Sequence, residues 1–207
     1  MQDETYVERK FVASLQRALE DVAPERLEVF AKWFDPADRR PRFHIASVIG
    51  AVGYLRKSPS LYFDVMKTAG EYAAQWWCSE LPRFQKTIIN SWVRLGREHF
   101  VRGLFRGGIR SIHRDAQMEF QRKEESLVVT VSNSVFCRTA TPSGNGPGCV
   151  YYSAFFNGLL DCTSEDYSSF EESNCRARGD SVCRFQTLPK ELGSERESVD
   201  VEATTTA

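Results

Sequence analysis

The chain lacks most of the features that would sort it at once. Its 207 residues carry 27 Lys and Arg against 28 Asp and Glu, a net charge of −1, so it has none of the basic excess of a protein that binds nucleic acid with its whole surface. No apolar run approaches the ~20 residues that span a bilayer. The N-terminal MQDETYVERK is polar and mixed in charge, unlike a secretory signal, and a cytoplasmic location is expected. The chain has no C-x-x-C pair, no G-x-x-x-x-G-K-[ST] loop, no G-x-S-x-G and no H-E-x-x-H, which removes the common phosphate-loop, hydrolase and metalloprotease chemistries. No helix-turn-helix or RNP signature stands out, and there is no internal repeat. What is present is ordinary for a globular protein, at 42% apolar and 27% charged residues. The length suits one domain with a tail. Six cysteines are the exception. In a reducing compartment they need a reason other than a disulfide framework.

The first 124 residues read as helical. VERKFVASLQRALEDV sets Phe11, Leu15, Leu19 and Val22 at spacings of three and four, one apolar stripe. Pro24 suits the first turn of a second helix, PERLEVFAKWF, because its missing N–H costs nothing there. DPADRRPRF reads as a loop. HIASVIGAVGYLRKS and SLYFDVMKTAGEYAAQWWCSEL read as further helices, the second interrupted or closely packed at Gly70. Pro82 opens another, with Ile89, Trp92, Gly96 and Phe100 on one face.

After residue 125 the pattern changes. SLVVTVSNSVFC is β-branched and reads as a strand. TATPSGNGPG is a loop, CVYYSAFFNGLLDC a helix, and SSFEESNCRA and SVCRFQTL two strands about the turn RGD. Helices followed by strand, helix, strand, strand make an α+β domain over 1–188, with N-terminal helices on a small antiparallel sheet. From Pro189 onward, five acidic and two basic residues with little to bury predict a disordered tail over 189–207.

Cys149, Cys175 and Cys183 carry the chemistry. Gly179 lies midway between the last two, so a turn there makes them cross-strand neighbours. Two thiolates on a hairpin are half of a tetrahedral zinc site. Cys149 opens a helix, where unpaired N–H groups favour its thiolate. On strand alternation Glu171 shares the face of Cys175, and a bulge between 172 and 175 would select Glu172 instead. Buried inert thiols, or a redox pair, explain the same three cysteines. Cys78, Cys137 and Cys162 read as small core residues.

The segments GPGCVYYSAFFNGLL, FEESNC and RARGDSVCRF, within 135–188, resemble the 4-vinyl reductase domain family. The family pattern is an acidic residue three before a Cys, then a Gly, then a Cys followed by x-Phe, with a further Cys ahead of an apolar helix. The resemblance implies zinc held by Cys149, Glu172, Cys175 and Cys183, and so a break in strand alternation at Glu172. It implies a structural zinc, since four protein ligands leave no open position for hydrolysis, and a fold like the core subunits of the TRAPP complex, whose members often dimerise. Related domains bind small aromatics such as phenol through a His that His99 matches within one residue. They also use a Trp in the strand region, where this chain has LVVT. Trp92, on roughly the side of His99, is the candidate for that part; the favoured alternative has Trp92 as core and His99 as an interfacial histidine with a satisfied hydrogen bond.

The reading is a non-enzymatic, zinc-stabilised small-molecule-binding or sensory module acting through a protein partner or as a homodimer. An accessory or carrier protein of tetrapyrrole synthesis, or an oligomeric scaffold, are the alternatives. The stretch 83–123, with ten basic and three acidic residues, reads as an anion-binding patch or a solvated face.

Overall fold

In the computed structural model, residues 6–35, 37–82, 94–123, 126–139, 148–163 and 169–188 are described. The expected tail over 189–207 lies outside them. Among the described residues the order is β1 (Tyr6–Glu8), α1 (Arg9–Val22), a 3-10 turn (Pro24–Arg26), α2 (Leu27–Phe30), β2 (Arg42–His44), α3 (Ile45–Leu55), α4 (Pro59–Glu80) and α5 (Arg94–Ile112). Then follow β3 (Gln117–Lys123), β4 (Ser126–Ser132), a 3-10 turn (Val135–Thr139), α6 (Val150–Thr163), β5 (Phe170–Asn174), a 3-10 turn (Arg176–Arg178) and β6 (Cys183–Thr187). The class is α+β. Strands β3-β4-β6-β5 form one antiparallel sheet, while β1 and β2 pair separately.

The α1 stripe buries Phe11, Val12, Leu15 and Leu19. PERLEVFAKWF is only a 3-10 turn and a four-residue helix, too short to be stable without tertiary packing. Phe30 and Phe34 are buried and supply that packing. Three strands have no signature in the sequence. RFH pairs with YVE only because distant parts of the chain meet, and QMEFQRK turns Met118 and Phe120 inward and pairs with β4 along its length.

Helix α4 is continuous through Gly70, and the close-packing alternative is the one realised. A Cβ there would stand 2.4 Å from the Tyr151 carbonyl oxygen and 2.9 Å from the Ala154 Cβ. Across the same seam a Cβ on Gly158 would stand 2.5 Å from the Ala74 Cβ. Small residues on both sides let the backbones of α4 and α6 approach, while Tyr152 and Phe156 of α6 turn to the sheet. There Phe105, Phe120, Phe156, Phe170 and Phe185 interlock with ring centroids 5.1–5.9 Å apart, the range in which aromatic pairs add to simple burial. That space is filled by rings.

His113 follows α5, its N–H donating to the Ile109 carbonyl at 3.0 Å. Its ring is wholly buried and neither ring nitrogen has a hydrogen-bond partner. Burial holds its pKa below the ordinary histidine value, Arg138 adds to this, and Asp115 and the Asn133 backbone oppose it. The unfolded chain therefore binds a proton below about pH 6.5 that the folded chain refuses, and stability falls as pH drops through that value. Exchanging His113 for Gln should narrow the difference in thermal midpoint between about pH 8 and about pH 5. An unchanged difference would remove His113 as the cause.

Candidate metal centre and adjoining cleft

Four sulfurs meet at the junction of α6, the sheet and two turns. Cys183 begins β6 opposite Val131 of β4. Cys175 follows β5, where Asp180 accepts its N–H at 2.6 Å and its carbonyl takes the Arg178 N–H at 2.8 Å. Gly179, at φ 102°, closes that turn in the left-handed region. Cys149 precedes α6, and its carbonyl accepts the first helical N–H groups, from Tyr152 at 2.9 Å and Ser153 at 3.3 Å. The fourth sulfur is Cys137, in the 3-10 turn after β4. The sequence reads it as a core residue; its side chain does pack against the core, and its sulfur also joins the other three. Its Sγ lies 3.0 Å from that of Cys183 and 3.5 Å from that of Cys149, while Cys149 lies 3.6 Å from Cys183 and 3.9 Å from Cys175. All four sulfurs are within 4.8 Å of one another, placed to hold a metal ion.

The register of β5 on β6 shifts between Glu172 and Asn174. The side chain of Glu172 is thereby only 9% exposed, and its Oε2 accepts the N–H groups of Gly148 at 3.3 Å and Cys149 at 3.4 Å. Glu171 is exposed. The bulge is what strict alternation omits, since one extra residue reverses the face of all that precede it. Gly148 is obligatory here, because a Cβ on it would overlap the Cys175 sulfur at 1.9 Å.

A second ring of contacts holds the loops. Arg56, just past α3, donates to the carbonyls of Phe136 at 3.2 Å and Gly148 at 2.9 Å, each one residue before a cluster cysteine. The Tyr62 hydroxyl donates to the same Gly148 carbonyl at 2.6 Å. Nothing in the sequence marks either residue, since they stand far from the cysteines along the chain.

The electrostatics are those of a crowded anion site. Its sulfur neighbours, Cys149 first, hold the Cys137 thiol far below its ordinary pKa. The same contact with Cys137, together with burial, holds the Cys149 thiol well above its own. Burial, then the nearby Cys175, pushes Glu172 up to about 7. Several thiolates cannot share this space unless a cation offsets their repulsion.

Beside the cluster lies a cleft of about 1110 Å³ between α4 and α6. Lys67, Glu71 and Gln75 line one wall, and Ser153, Ala154 and Asn157 the other. Phe63, 43% exposed, is also part of the lining. Glu172 and Arg178 also line the cleft, so Glu172 is shared between cleft and cluster, and its Oε1 is buried with no hydrogen-bond partner. Cys78 and Cys162, expected as inert core thiols, form a disulfide between α4 and α6 in the wall of this cleft. No local pattern announces that pair, because 84 residues separate its halves.

Trp92 lies outside the described residues. His99 falls in α5 at a position whose side chain also lies outside them. Of the basic stretch, Arg106, Arg110 and Arg114 are exposed along one groove of about 530 Å³. Among the described residues no helix is long and apolar enough to cross a membrane.

Comparison with solved structures finds the same fold in an H-NOX domain from Shewanella oneidensis, solved by NMR in the Fe(II)CO ligation state. The TM-score is 0.53 at 10% identity, over 89% of this chain and 99% of that one. Comparison with curated protein sequences gave no match. Residues 127–189, which supply all four clustered cysteines and Glu172, match the 4-vinyl reductase domain family.

Proposed function

We propose that this chain is a non-enzymatic, metal-pinned module that binds a small molecule in the cleft between α4 and α6 and reports it through a protein partner or a second copy. The cleft carries this reading, because it adjoins the cluster through one shared residue, Glu172. Its volume of about 1110 Å³ is at the upper end of small-molecule pockets, and its mixed lining offers several polar groups to fix an orientation. The family match over the C-terminal part supports a ligand-binding role, and the H-NOX likeness supports it by analogy of fold alone.

The donor set fits zinc. Thiolates and a carboxylate suit it, and four filled places make a structural ion rather than a hydrolytic one. Cys149, Cys175 and Cys183 are the fixed part of the shell, while Glu172 and Cys137 stand at the fourth place. When bound, the ion would tie the start of α6 to the turn after β4 and to the β5–β6 hairpin.

Cleft size favours a ligand larger than phenol, so a tetrapyrrole carrier is the second reading. Added porphyrin and added phenol should part the two by thermal shift. A ligand at a hundred times its Kd stabilises by about 2.7 kcal/mol, roughly 5–11 °C for a chain of this size. Filling the cleft with Ser153→Phe should abolish the shift and leave the unliganded midpoint nearly unchanged. A shift that survives Ser153→Phe places the ligand elsewhere.

A further inference from the structure

Five donors converge where a tetrahedral ion takes four. We infer that the fourth place belongs to Cys137, giving the ion an all-sulfur shell with Cys149, Cys175 and Cys183. Glu172 then stands outside the shell and positions Cys149. This rests on the metal reading above and adds the identity of the shell.

Distances come first. Zinc–sulfur bonds of about 2.3 Å put the corners of a regular tetrahedron about 3.8 Å apart. The sulfur separations of 3.0, 3.5, 3.6 and 3.9 Å straddle that edge, so a small outward movement of Cys137 from Cys183 completes the figure. The turn that carries Cys137 is also held for the purpose. Arg56 grips the carbonyl of Phe136 and that of Gly148 with one nitrogen, which locks Cys137 and Cys149 together before any ion arrives.

Glu172 is already engaged. Its Oε2 takes two backbone N–H groups and stands 4.0 Å from the Arg178 guanidinium. These partners offset part of the cost of burying that carboxylate. One of them is the Cys149 N–H itself, the arrangement of an outer residue that orients a ligand. The remaining oxygen, Oε1, is buried without a partner on a residue that lines the cleft. Chemistry agrees, since a borderline-soft ion offered a fourth thiolate or a carboxylate at one place favours the sulfur.

Cobalt(II) bound in place of zinc in the full chain tests this. The intensity of its sulfur-to-cobalt charge-transfer band follows the number of bound thiolates, so Cys137→Ser should remove about a quarter of it. Glu172→Gln should leave band position and intensity unchanged. A loaded protein in which Cys137→Ser alters nothing while Glu172→Gln shifts the bands would overturn the four-sulfur shell and leave the metal reading standing. A wild-type chain that binds neither cobalt nor zinc would overturn both. Should Cys137→Ser fail to fold, maleimide labelling of the metal-loaded wild type decides. Cys137 should be protected together with the other three cysteines, and its selective labelling would sink the inference.

Discussion

Chelating the metal should lower the thermal midpoint by about 8–16 °C and release the β5–β6 hairpin and the start of α6 before the helical half unfolds. The magnitude follows from the role assigned to the ion. Structural zinc contributes about 10–16 kcal/mol in peptides that have little else. Here a ring-filled core remains, so we expect roughly 4 kcal/mol, at about 2–4 °C per kcal/mol for a domain of this length. Protein purified without added zinc should carry about one ion per chain. Cys175→Ser and Cys183→Ser should lose it, and each should behave like the chelated wild type. The effect is asymmetric in the chain because the four sulfurs join elements between residues 137 and 183, whereas α1, α3 and α4 keep their own buried contacts. Hydrogen exchange should accordingly speed up in β5, β6 and the first turn of α6 and remain slow in α1. Metal-free protein with an unchanged midpoint would leave the sulfurs as inert core.

Reducing the Cys78–Cys162 bond should lower the midpoint by about 5–15 °C and leave the metal in place. The bond closes a loop of 84 residues. Loss of that constraint on the unfolded chain costs about 4–5 kcal/mol by the loop-entropy relation, and commonly somewhat less in practice. Since the pair lies in the cleft wall, ligand affinity should change with it, while cobalt spectra of the Cys78→Ser and Cys162→Ser variants should match wild type. The two experiments therefore separate. One set of cysteines answers to chelators and the other to reductants. Thiol counts under denaturing, non-reducing conditions check the premise, with four reactive thiols expected of the six cysteines. Six would mean that the two helices pack without the bond.

Each of these effects is tied to residues legible to a different degree in the sequence. The glycine of RGD and the spacing of Cys175 and Cys183 about it are local, and local geometry is enough to read them as a hairpin with a sulfur at either side. Gly70 in an otherwise helical pattern signals an interruption or a close approach, and contact with the Tyr151 carbonyl decides for the second. Glu172 stays undecided on alternation, because a bulge depends on how a strand sits against its neighbour. Cys137 escapes a sequence reading, since nothing adjacent to it in the chain hints at a metal.

The amino-acid order alone determined the mainly helical first part, the mixed second part, the apolar stripe of α1 and the turn that sets Cys175 beside Cys183. These follow from periodicity and turn chemistry, which act over a few residues. Packing decided the rest. The pairing of β1 with β2, the union of Cys78 with Cys162, the grip of Arg56 on two loops and the arrival of Cys137 beside Cys183 all join residues far apart in the chain. Such contacts arise from how buried faces fit once helices and sheet have closed on one another, and no short window of sequence contains both halves of them.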